Sequence, residues 1–149
     1  MSTVQIAGQD KPTQTIVNLN PDGTNLGASV LPYGAVSLSA GSGNVAAAAA
    51  VATLTPTATT KAYLAGFQIT GAGATVALPV SVTVAGLLGG TRTFTYTFVA
   101  GALLANTPLI VRFTPPLPAS AVNTAIVVTC PSSGTGGTNN TANAQGFYI

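Results

Sequence analysis

The sequence predicts an all-β fold: an antiparallel β-sandwich of jelly-roll or Greek-key type, with about seven or eight strands and an extended N-terminal arm. Three observations carry this expectation. Beyond residue 45 the dominant side-chain period is two, the repeat of a β-strand. Strand-sized runs are separated by turn signals every 10 to 15 residues, and no amphipathic helical stretch lies between them. The 149 residues suit one domain that buries about two thirds of its unfolded surface.

Residues 1–44 read as the arm, because short apolar pieces such as "TIVNLN" and "GAVSLSA" are cut by "PDGTN", "LPYG" and "AGSGN". Pro21 to Gly23 suit a β-turn, with proline fixing one φ and glycine allowing a positive one. One or two short strands are expected here, "AVSLSA" first among them. Residues 45–149 read as the sandwich domain. The alanine run at 46–50 has the propensity for a helix and an N-cap in Asn44, but "VATLTPTATT" follows at once with β-branched residues and Pro56, which favours a strand. In "AYLAGFQIT" the alternation puts Tyr63, Phe67 and Ile69 on one face. "VSVTV" turns Val80, Val82 and Val84 one way and Ser81 and Thr83 the other, with Pro79 placed to guard a strand end. "TRTFTYTF" sets Phe94, Tyr96 and Phe98 against Thr93, Thr95 and Thr97. "LIVRF" gives Leu109, Val111 and Phe113, and "AIVVTC" gives Ile126, Val128 and Cys130, the last expected as a small buried hydrophobe. "NAQGFYI" makes the closing strand. The breakers are "GAGA", "GLLGG", "PPLPAS" and "PSSGTGGTNN".

Charge is the outlying quantity. Charged residues make up 4% of the chain, against about 25% in soluble domains, while the hydrophobic fraction is an ordinary 47%. The six are Asp10, Lys11, Asp22, Lys61, Arg92 and Arg112. Scattered cations do not make the clustered basic surface that phosphate neutralisation requires, so nucleic acid is not an expected partner. Histidine and glutamate are absent and both aspartates lie in the arm, so neither a histidine-based triad nor a paired-carboxylate site is available in the sandwich. No catalytic residue, no cofactor site and no metal site is expected. Gly41-x-Gly43-x-x-Ala46 imitates a dinucleotide loop, but no acidic residue stands about 20 positions on and no βαβ unit follows. The apolar stretches are too short or too broken to span about 20 residues of bilayer, and the N-terminus lacks a basic then apolar leader, so neither membrane association nor secretion is expected.

Monomeric sheets guard their edges with lysine, proline, inward charges or bulges. Here the strands carry almost no charge, and threonine on outward faces avoids the cost of desolvating a charge at a contact. That surface suits a protein that spends its life docked to copies of itself or to a partner.

The segments "YLAGFQITGAGAT", "VTVAGLLGGTRTFTYTF", "PLIVRFTPPLPASAVNTAIVV" and "AQGFYI" together resemble small β-sandwich structural proteins encoded among the virion genes of tailed bacteriophages. The resemblance covers most of residues 60–149. It implies a capsid decoration, or cement, protein made in the host cytoplasm, sitting on the outer surface of the head as a homotrimer and tying major capsid subunits together. A neck, head-fibre or tail protein of similar fold is the alternative within the virion, and a carbohydrate-binding or adhesive β-sandwich the alternative outside it. The expected contact residues are Ile16, Val17, Leu19 and Tyr33 in the arm, Arg112 on its strand, and the apolar chain end Phe147, Tyr148 and Ile149.

Overall fold

A computed structural model describes residues 31–32, 34–101, 106–134 and 136–149. The compact unit that holds the sandwich runs from Tyr33 to Ile149. Its eight strands are β1 (Val36–Gly41), β2 (Ala50–Leu54), β3 (Ala62–Ala72), β4 (Leu78–Ala85), β5 (Arg92–Phe98), β6 (Leu109–Pro118), β7 (Ile126–Cys130) and β8 (Asn139–Tyr148).

They form two four-stranded sheets, ordered β1-β8-β3-β6 and β2-β7-β4-β5, in which every ladder is antiparallel. The pairings β1 with β8, β2 with β7, β3 with β6 and β4 with β5 are those of one long hairpin folded back on itself. Its tip is the "GLLGG" turn, where Gly86, Gly89 and Gly90 all adopt positive φ. Two further ladders, β3 with β8 and β4 with β7, appear when that hairpin wraps into two layers. The result is the jelly roll that the alternation allowed.

The period-two pattern lands as its chemistry requires. Val82, Val84, Phe98, Ile126, Val128 and Cys130 point inward and are buried, with Tyr96 beside them, while Thr93, Thr95 and Thr97 face out. Alanines at 50, 52, 142 and 144 are buried between the layers, and the aromatic rings of Phe67, Phe94 and Phe113 pack on one another across the two sheets. Phe98 lies over Gly71 of the opposite sheet, on ground that a Cβ would occupy.

Three local readings differ from the alternation. Tyr63 does not share a face with Phe67 and Ile69: the ladder slips between Leu64 and Gly66, the extra residue reverses parity, and Leu64 takes the inward place. The alanine run is neither helix nor strand for most of its length. Ala46–Ala48 bend, Ala47 takes a φ of 50°, and only Ala50 joins β2, because the segment turns a corner from one sheet to the other. Its Ala47 N–H donates to Gly137 O at 2.8 Å. The sandwich also starts earlier than the composition shift at 44 and 45: "VSLSAG" is β1, which pairs along its whole length with β8. Pro79 occupies the part of β4 that β7 does not reach, where no N–H is wanted.

Candidate functional site

Two surfaces carry the side chains able to meet a partner. The first is one end of the sandwich, where backbone hydrogen bonds tie three loops and the chain terminus together. Leu88 N–H donates to Pro118 O, Ser120 N–H to Gly86 O and Asn123 N–H to Thr60 O, at 2.8 to 2.9 Å. Lys61 and Ile149 exchange a pair, with Lys61 N–H donating to Ile149 O and Ile149 N–H to Lys61 O. On this tied end Leu88 is 60% exposed, Val122 53% and Ile149 46%. Large apolar residues are exposed elsewhere too, Val76 at 61% among them, but here three stand on loops that backbone hydrogen bonds tie together.

The second surface is the outer face of the sheet β1-β8-β3-β6. Cross-strand register sets two rows side by side: Ser39, Gln145, Gly66 and Arg112, and next to it Gly41, Asn143, Gln68 and Ile110. All of these except Gly66 line a hollow of about 450 Å³. Gly66 lies where a Cβ would stand 2.6 Å from the backbone Val111 O, so glycine lets β3 and β6 pair closely at the bulge. None of Ser39, Gln68, Arg112, Asn143 or Gln145 has a side-chain partner within the described residues, whereas Thr70 and Thr141 further along the same face bond to each other.

The electrostatics are one-sided. Residues 33–149 contain Lys61, Arg92 and Arg112 but no Asp or Glu. Among the described residues no three His, Cys, Asp or Glu side chains come together as metal ligands, and no helix is long and apolar enough to cross a membrane. Cys130 is fully buried, and burial pushes its thiol up to about 11 against a smaller opposing effect of Asn140. It is therefore a core thiol, not a nucleophile. Burial also raises the Tyr96 phenol.

Of the residues singled out from the sequence, Ile16, Val17, Leu19 and Tyr33 lie outside the described residues. Arg112 is exposed on β6, an outer strand, and lines the hollow. Phe147, Tyr148 and Ile149 differ in their surroundings. Phe147 is 4% exposed and stacks on Tyr63 with ring centroids 5.0 Å apart; Tyr148 is half-buried opposite Ala62; Ile149 alone reaches out at the tied end. Leu88 and Val122 were not singled out, although "GLLGG" and "PPLPASAVN" show apolar residues inside turn sequences. The hollow's amides were missed as well, since they meet only through register. No family model, curated protein or solved structure matches this chain.

Proposed function

We propose that this chain is a structural virion protein, a capsid decoration or cement protein that binds the outer surface of an assembled phage head as a homotrimer and ties neighbouring major capsid subunits together. The observation that carries this reading is the tied end, where Leu88, Val122 and Ile149 stand exposed on loops fixed by backbone hydrogen bonds. Such residues add apolar area to a contact without the ordering cost of a floppy loop. The open edges add to it. β6 is blunted by Pro115, Pro116 and Pro118, but β1 and β2 carry neither proline nor charge, and β5 carries only Arg92 at its first residue. A sandwich with so few charges meets a partner by shape, and repetition on a trimer raises the effective concentration of each weak contact.

The test is binding of purified protein to preformed heads, read by co-sedimentation and by the melting temperature of the heads. Binding with a raised melting temperature is expected, weakened by roughly tenfold or more in the double variant Leu88→Asp, Val122→Asp, whose own melting should barely move because both sites are exposed. Failure of the unsubstituted protein to bind heads overturns the reading.

A further inference from the structure

We infer that the hollow on the outer face of β1-β8-β3-β6 is a binding site for an acidic saccharide, with Arg112 receiving the ligand's carboxylate. This inference is independent of the head-binding reading, which concerns the loop end.

Size and shape come first. Two adjacent rows across four strands span roughly 14 Å by 7 Å, from strand spacing and rise per residue. That footprint, with a volume of about 450 Å³, suits one to three sugar rings and falls in the range of small-ligand sites. Gly41 lines the hollow without a side chain, and a Cβ there would stand 2.6 Å from Asn143 Oδ1.

Its chemistry narrows the class. Gln68, Asn143 and Gln145 each offer both donors and acceptors, and Ser39 offers a hydroxyl. A ligand whose groups are also both donor and acceptor, as sugar hydroxyls are, can pair with every one of them. Arg112 adds a planar fork that matches a carboxylate with two parallel hydrogen bonds. Residues 33–149 contain no Asp or Glu to occupy it. Ile110, 58% exposed at the rim, gives a ring's C–H face an apolar contact.

An extended peptide fits less well. Peptides add to sheets at edges, where backbone N–H and C=O groups are free. The hollow's middle strands, β8 and β3, are paired on both sides, so their backbone groups are spent on the ladders. Nor does the lining present an apolar pocket to anchor a hydrophobic side chain, as Phe67, Val111 and Ala144 point into the core from the same strands.

The experiment is calorimetric titration of the full chain with trigalacturonate, a glucuronate tetrasaccharide, sialyllactose, the methyl ester of trigalacturonate, and triglutamate. At least one acidic saccharide is expected to bind, with the ester at least about tenfold weaker than its free acid. Arg112→Ala should weaken binding by about tenfold or more and Gln68→Ala by a few-fold, while Arg92→Ala, the same charge change on the other sheet, leaves it unaltered. All three positions are partly or fully exposed, so the variants should fold, which their melting temperatures would verify. Absence of heat from all three acidic saccharides at about 10 mM overturns the inference. An equal loss in Arg92→Ala, or triglutamate binding as tightly as the best saccharide, overturns it too.

Discussion

Cys130 shows how a single atom's environment becomes a stability term. Its thiol is held neutral by burial, with the folded value near 11 against an ordinary 9.0. Below pH 9 both folded and unfolded chains keep the proton, so the contribution is fully present. Between about 9 and 11 the unfolded thiol ionises and the folded one does not, so stability falls by about 1.4 kcal/mol per pH unit from this group. Tyr96, also raised by burial, adds a slope of the same sign at higher pH. The expected result is a steep alkaline loss of stability in denaturant titrations, reduced in Cys130→Ala; an unchanged slope would mean the thiol is hydrated. Gly71 is a second such position. A methyl group there collides with the Phe98 ring, which is fully buried and has nowhere to turn. Gly71→Ala should cost about 1 to 3 kcal/mol, measurable as a fall in midpoint denaturant concentration.

At the level of strands, legibility followed from what each level of structure writes into the chain. Alternation is local, so the faces of β4, β5 and β7 could be read directly from "VSVTV", "TFTYTF" and "AIVVTC". The wrapping of the long hairpin is not local: β1 meets β8 through backbone groups that every residue possesses. A bulge is equally silent, which is why Tyr63 changed face. The hollow was invisible for the same reason, for Ser39, Gln68, Arg112 and Gln145 share a surface only through ladders between distant strands. Arg112 alone stood out, as a rare charge. Edge behaviour, by contrast, can be tested strand by strand. Thr93→Lys with Thr97→Lys on β5 changes two exposed positions, so monomer stability should shift by no more than about 0.5 kcal/mol. If β5 pairs with a neighbouring copy, light scattering will show the oligomer lost; an oligomer that survives both lysines assigns self-association to another edge.

For the molecule as a whole, scarcity of ionisable groups sets how it responds to its solution. Acid unfolding of ordinary domains comes largely from carboxylates that are paired when folded and must take protons, and from buried histidines that must charge. Residues 33–149 have no carboxylate side chain and no histidine, the groups that ordinarily titrate below neutrality. The proton difference between folded and unfolded sandwich is therefore close to zero from about pH 5 to 8, and so is the slope of stability against pH. Within residues 33–149, side-chain ion pairs that salt would screen are missing for want of Asp or Glu. Calorimetry should give a melting temperature constant to within about 2 °C across that pH range and from about 0.05 to 0.3 M salt, since 1 kcal/mol moves a domain this size by several degrees. A melting temperature that falls steeply between pH 5 and 7 would mean that Asp10 or Asp22 keeps its proton on folding, in a buried contact that folding depends on. A flat profile leaves burial and the β-ladders as the source of stability.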